Sequence, residues 1–484
     1  MIADMHVLSK KERYEIHERT LKVLANTGVR VETARGRSIL GDAGAKVDEG
    51  THIVKFPQSL VEEALRLAPK RFTLGGRRPG WHLSMNDGEC VLLADGGALL
   101  VLDSDTGKRR PASYEDWYKS TRLIDAMDEF GAYWWMAREN DATLKIGDFV
   151  DYWWDVFTNT SKHVQDMTEN PAQSRWLMEI LQVVFGGRET VRHLRPISIL
   201  LCPLSPLTIE GTYTDAYLET LGWDIPVAAM PMPLMGATSP GSLIATVVLG
   251  NCEVLAMLCL VQAAAPGTPF IYAPALALVE PQSWLYTGGA VEHALLGAAA
   301  TEMARFYDLP VEASIGGSNQ PSPGIQEVFE RTLNWTLPIL AWPDILVGPG
   351  LLSGSTVLSF DQLMIDVEIF RRCSRLHQGI ESAPDKWLDP LIAEVGPGGH
   401  YMSHRSTREA LRTGEWYISS YGNQILEEHP GAFSKPDFLA EIRAKIDSVL
   451  SQHQPLPLGE DIDKELERIE QRARESSESP QTEN

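Results

Sequence analysis

The chain has 484 residues, 44% hydrophobic and 22% charged, a balance that supports a large buried core and excludes a disordered body. Its 43 basic against 65 acidic side chains give a net charge of −22, which repels a nucleic-acid backbone or an anionic membrane surface at long range. The N-terminus has no apolar run of signal-peptide length, no stretch reads as a membrane span, and Cys90, Cys202, Cys252, Cys259 and Cys373 form no CxxC pair, so the reading is a reduced, cytoplasmic chain.

Residues 1–89 read as a helical and β-hairpin extension. Glu12–Thr27 is amphipathic and stops at Gly28, Pro57 opens a second helix, and the Gly-rich turns of GGRRPGWHLS and DGECVLLADGG separate short apolar runs. From residue 90 to 380, strand-like and helix-like segments alternate. Strands are predicted near 90–94, 131–136, 162–167, 196–201, 226–230, 269–273, 310–315 and 343–347. Helices are predicted near 113–128, 148–159, 170–185, 210–222, 241–264, 287–307, 323–337 and 360–377. Eight strand–helix repeats predict an α/β fold of the TIM type, a closed (β/α)8 barrel. A doubly wound open sheet is the alternative, but no GxGxxG or P-loop follows any strand. Residues 381–456 predict a C-terminal helical extension packed on the barrel. Residues 457–484 predict a charged helix and a polar tail, frayed or packed on a partner.

In such a barrel the site lies at the C-terminal strand ends. Strand alternation puts Glu312, Ser314 and Gly316 on the axis of the seventh strand, Phe270 and Tyr272 on that of the sixth, and His163, Gln165 and Met167 on that of the third. The second strand, GAYWWMAREN, is apolar on both faces, so either Trp134 or Trp135 points in, with Arg138 in the loop beyond. An aromatic funnel holding a carboxylate suits a quaternary ammonium ion, which ring faces attract by about 0.5–2 kcal/mol each. Plainer readings stand beside this one: Glu312 and His163 as satisfied interior polar groups, the tryptophans as core filling. Metal ligation is not expected, because no His lies near a Cys, and His400 and His404 lack a helical HExxH context.

The loop after the fifth strand, with Met230, Met232, Leu234, Met235, Gly236, Ala237 and Thr238, forms a soft apolar lip. The run PMPLMGATSPGSLIATVVLGNCEVLA, with TSKHV (160–164), LPVEASIGGS (309–318) and VGPGGHYMSH (395–404), resembles the trimethylamine methyltransferase family from about Leu8 to Leu456. The resemblance implies transfer of a methyl group from an amine to the cobalt of a corrinoid (cobalamin) held by a separate carrier protein. DxHxxG is absent here, so no intrinsic corrinoid is expected. Taken with the strand parities, this expects Glu312 to serve catalysis, with Tyr272, Trp134, Trp135, His163, Gln165, Met167, Phe270 and Arg138 around the substrate. The corrinoid face would meet Met232, Gly236, Ala237 and Thr238, and open glycines at Gly96, Gly97, Gly316, Gly317, Gly348 and Gly350. The family's founding members carry pyrrolysine, which this sequence lacks, and that favours a glycine betaine-like quaternary amine over trimethylamine. A trimethylamine-type enzyme, a non-catalytic betaine-binding or regulatory barrel, and an unrelated lyase or hydrolase remain as alternatives. A homo-oligomer is expected.

Overall fold

In a computed structural model the chain closes eight parallel strands into a barrel; residues 6–139, 144–419, 421 and 438–478 are described. The strands are β1 (Val91–Leu93), β2 (Ala132–Tyr133), β3 (His163–Asp166), β4 (Ile197–Leu201), β5 (Val227–Ala229), β6 (Phe270–Tyr272), β7 (Glu312–Ser314) and β8 (Ile345–Val347). One ladder runs β2 to β6 in order, and a second joins β7, β8 and β1. Parallel bridges Leu92–Phe130 and Tyr272–Val311 connect the two and complete the ring. Each strand leads to a helix: α1 (Tyr114–Ala126), α2 (Ile146–Asn159), α3 (Pro171–Phe185), α4 (Thr212–Leu218), α5 (Leu243–Ala264), α6 (Val291–Phe306), α7 (Ile325–Ala341) and α8 (Phe360–Gln378). Strands covered on both faces need no polar side, which is why VLL, ISILL, VAA and ILV read as nearly unbroken apolar or small-residue runs.

The core has two layers. The outer one lies between strands and helices and holds Tyr133, Phe270, Tyr272, Val311, Ala313 and Ile315. The inner one lies on the axis: Leu93, Ala132, Leu200, Ala228, Met230, Ile271, Ala273, Ile345 and Val347. The antiparallel hairpin Phe72–Gly75 and His82–Met85 adds Phe72, Leu74, Leu83 and Met85 to that inner layer. It plugs the N-terminal end: Arg77 N donates to Ser161 O at 2.8 Å just before β3, and Asn86 N donates to the Asp344 carboxylate at 2.9 Å just before β8. With the floor plugged, the C-terminal mouth is the open end of the barrel axis.

One expectation about the chain is corrected. Helix α5 spans 22 residues and is long and apolar enough to cross a membrane, whereas no such run was read from the sequence. Within this fold 78% of its most apolar window is buried, packed against helices Lys10–Asn26, Ala34–Asp42 and Gln58–Leu67 and against α6. The N-terminal sheet of Val29–Val31, Ile53–Lys55 and Lys46–Asp48 also takes in Thr208–Ile209 from the β4–α4 connection, paired in parallel with Val29–Val31. The final helix, Glu460–Glu478, is neither frayed nor left for a partner. It packs across α2 and α3, burying Leu466, Ile469 and Ala473. The polar tail beyond it lies outside the described residues.

Candidate active site in the barrel interior

Strand direction orders the inner wall from floor to mouth. On β3 the axis-facing side chains are His163, Gln165 and then Met167; on β4 they are Ser198, Leu200 and Cys202; on β7 they are Glu312 and Ser314. Glu312, Gln165 and His163 are fully buried, while Met167, Cys202, Ser314, Trp134 and Ala275, nearer the mouth, are half-buried. Glu312 is thus a fully buried acid on the axis, beneath a ring of half-buried small and polarisable side chains.

Hydrogen bonds run across the axis from this carboxylate. The Gln165 amide Nε2 donates to both Glu312 oxygens at 2.9 Å. Ser198 Oγ donates to Gln165 Oε1 at 3.0 Å and lies 2.9 Å from His163 Nε2. His163 Nδ1 lies 3.0 Å from the Arg195 carbonyl oxygen. Burial raises the Glu312 pKa to about 7, opposed by the Gln165 amide. Burial lowers that of His163 to about 4, opposed by the backbone at Arg195 and Gly75. Burial and the facing Glu312 push the Cys202 thiol up to about 12, so it is a neutral wall residue.

The aromatic wall differs from the sequence reading. Phe270 and Tyr272 face the helices, and the Tyr272 hydroxyl donates to Asn251 Oδ1 of α5 at 3.0 Å. Their neighbours Ile271, Ala273 and Ala275 take the axis instead. In FIYAPA both faces are apolar, so alternation has no phase to reveal. On β2 the chain resolves the same ambiguity by turning Trp134 inward, against both core layers. Trp135 turns outward, with the Arg138 guanidinium 4.4 Å above its ring. Arg138, 4.0 Å from Glu169, shares a cavity of about 30 Å³ with Trp135, Tyr152, Asp166 and Met167 on the β2–β3 flank. It does not stand over Glu312 in that cavity.

The glycines divide as well. Gly97 and Gly236 are exposed at the mouth, beside exposed Ala237, half-buried Thr238 and half-exposed Met232. Gly96 packs under the Trp134 ring, where a Cβ would sit 2.9 Å from Cδ2. Gly316, Gly317, Gly348 and Gly350 are buried rather than open: their close neighbours are His293, Arg331, Ile315 and Met136 in turn. The loop after β8 is stapled from behind by Arg331, fully buried, which donates to Gly348 O at 3.2 Å, Leu351 O at 2.6 Å and Asp366 Oδ2 at 3.0 Å, and also to Glu327.

Sequence reasoning missed Ser198, which extending the parity argument to β4 would have found, and two groups above β7. His293, at the start of α6, is buried with neither ring nitrogen hydrogen-bonded, and its ring lies 6.1 Å from that of Tyr286. Exposed Leu99, Leu204, Trp284 and Leu285 join Met232 in the connections that follow β1, β4, β6 and β5. Together they make an apolar rim around the mouth.

A closed parallel barrel with its floor plugged and an acid on its axis is the architecture of a (β/α)8-barrel enzyme, a class whose sites lie at the C-terminal face. The chain belongs to the trimethylamine methyltransferase (MTTB) family, whose profile matches residues 1–477, and it is a methyltransferase of that family. It is 29% identical over 454 residues to trimethylamine methyltransferase MttB of Desulfitobacterium hafniense, covering 94% of this chain and 91% of that one. It is 26% identical over 486 aligned positions to the glycine betaine methyltransferase of Desulfitobacterium hafniense, covering 99% of each. The monomethylamine methyltransferase MtmB of Methanosarcina barkeri superposes over 96% of this chain and 92% of that one, with 12% identity and a TM-score of 0.46.

Proposed function

We propose that this methyltransferase takes its methyl group from a quaternary ammonium compound of the glycine betaine kind and delivers it to a corrinoid carried by a second protein. The observation that carries this reading is Glu312: a fully buried acid on the barrel axis whose hydrogen bonds come from a neutral amide and which, among the described residues, no cationic side chain pairs. A quaternary ammonium has no N–H to donate, so it is held by charge and by ring faces, here Glu312 and Trp134. Such a substrate departs as a neutral amine and needs positioning rather than covalent activation.

The corrinoid, bound by its own carrier, supplies a cobalt(I) nucleophile for the methyl carbon. The rim of Leu99, Leu204, Met232, Trp284 and Leu285, with exposed Gly97, Gly236 and Ala237, fits a flat and partly apolar face pressed on the mouth. The buried glycines after β7 and β8 are not part of that fit. Beneath the rim, Met167, Cys202, Ser314 and Ala275 exclude bulk water and strengthen the Glu312 field on the cation.

The test is formation of methylated corrinoid when the purified chain, a reduced corrinoid carrier and a panel of amines are combined. Turnover of glycine betaine or another quaternary amine is expected. Turnover of trimethylamine alone would overturn the substrate assignment, and full activity after replacing Met232, Trp284 and Leu285 by Ser would overturn the docking face.

A further inference from the structure

The four side chains crossing the axis impose a constraint on one another. Arg195 O can only accept, so His163 Nδ1, 3.0 Å away, carries a proton. With Gln165 donating to Glu312 and Ser198 donating to Gln165 Oε1, the single Ser198 proton is spent, and His163 Nε2 must donate to Ser198 Oγ. That arrangement satisfies every group only when His163 is an imidazolium and Glu312 a carboxylate. A second arrangement is equally satisfied: Ser198 turns to donate to His163 Nε2, the Gln165 amide turns over to donate to Ser198, and a protonated Glu312 donates to Gln165 Oε1. There both end groups are neutral. The mixed form, a carboxylate with a neutral imidazole, leaves two acceptors or two donors facing each other somewhere along the chain.

We propose that His163 is the proton store of Glu312: a cation entering the channel draws the Glu312 proton through Gln165 and Ser198 onto His163, so the carboxylate that meets it appears without proton exchange with solvent. In the net step one O–H bond breaks at Glu312 and one N–H bond forms at His163 Nε2. Ser198 and Gln165 each take up one proton and pass one on, Gln165 through its imidic acid, and both end with as many protons as they began with after hydroxyl and amide have turned round. Burial favours the neutral pair in the absence of a cation, since it raises the acid and lowers the imidazole; apart from the proton itself, that pair differs from the arrangement above only by the turn of the Gln165 amide and the Ser198 hydroxyl. Among the described residues, Cys202 of β4 is a further titratable group that faces Glu312. Lys162, next to His163, turns away and donates to the Met127 and Phe130 carbonyls. The cation part of this inference rests on the reading of the site given above; the coupling of the two end groups does not.

Two measurements separate the parts. In the ligand-free protein, the protonated-carboxyl infrared band that disappears in Glu312→Gln is titrated against pH. Ser198→Ala frees Gln165 to donate to the carboxylate without a mismatch, so the Glu312 midpoint is expected to fall by at least about one pH unit; His163→Gln, whose amide serves Ser198 in either direction, gives the same shift. An unmoved midpoint in both variants overturns the coupling. Calorimetry one pH unit below the Glu312 midpoint found in His163→Gln, in buffers of differing ionisation enthalpy, then counts protons released on binding tetramethylammonium and glycine betaine. The wild-type protein is expected to release none. His163→Gln is expected to release close to one, with affinity falling about tenfold per pH unit below the Glu312 midpoint. Release of one proton by the wild type, or none by the variant, overturns the store. If neither probe binds the wild type, the cation site fails while the titration still decides the coupling.

Discussion

Glu312 holds a buried acid in place with one neutral amide, and that economy makes its charge available to a ligand. Replacing it by Gln keeps the shape and removes the charge. Cation binding is expected to weaken by about 1.5–3 kcal/mol, roughly ten- to a hundredfold in dissociation constant, measured by calorimetry. Gly316 poses a different local demand. Its φ is +57°, and an added Cβ would lie 2.3 Å from His293 Cε1, so Gly316→Ala meets both left-handed backbone strain of about 1–2 kcal/mol and a buried ring with little room to move. A lower melting temperature is expected, and an unchanged one would remove Gly316 from the rigid frame of the mouth. These residues show what the sequence made legible. A lone polar side chain in an apolar strand, such as Glu312, His163 or Gln165, fixes the phase of the alternation, and all three face the axis. Phe270–Tyr272 and Trp134–Trp135 offer apolar groups to either layer, and only the packing of Asn251 on α5 and Gly96 after β1 decides which ring goes where.

At the scale of elements the eight repeats were readable because each strand–helix unit carries its own change of period. The connections were less readable, since their shape depends on groups distant in sequence. Arg331 of α7 is the clearest case: it looks like one charge on an amphipathic helix, yet it is fully buried and holds the loop after β8 together with Asp366 and Glu327. Removing one member leaves uncompensated charge in the interior, so Arg331→Met is expected to cost about 3–5 kcal/mol in urea unfolding. A loss below about 1 kcal/mol would mean that the loop holds itself. The last helix was legible as a helix but not as a docked one. Its attachment is a pattern of partners on α2 and α3: Asp463 with Trp154, Arg474 with Asp148 and Asp151, and Arg472 with Glu179. A chain ending at residue 459 uncovers those helices, and light scattering is expected to report self-association. A monodisperse, equally stable truncation would contradict this.

For the molecule as a whole, buried acids set the direction of its pH response. Burial raises Asp95 and Asp166 to about 6 and Glu253 and Glu312 to about 7, all above ordinary carboxylate values. Between about pH 4.5 and 7 the folded state therefore holds more protons on these groups than the unfolded chain, and stability falls as pH rises through that window. His163 and His293, lowered to about 4, act in the opposite sense between pH 4 and 6.5, but they are outnumbered by the raised acids, which also include Asp344 and Asp366. The urea midpoint is expected to be higher at pH 5 than at pH 7.5, with a smaller difference in Glu253→Gln; a midpoint that rises across this window would contradict the assignment. Helix α5 sets a problem of another kind, one of timing. A ribosome completes Leu243–Ala264 before β6, β7 or β8 exists, and a segment this apolar is what the membrane-insertion machinery recognises. The helices that cover it, Lys10–Asn26 and Gln58–Leu67, are made first and stand ready as it emerges. The cover for the most apolar helix is thus synthesised before the helix itself, and a chain lacking residues 1–89 is expected to expose that apolar face as it is made.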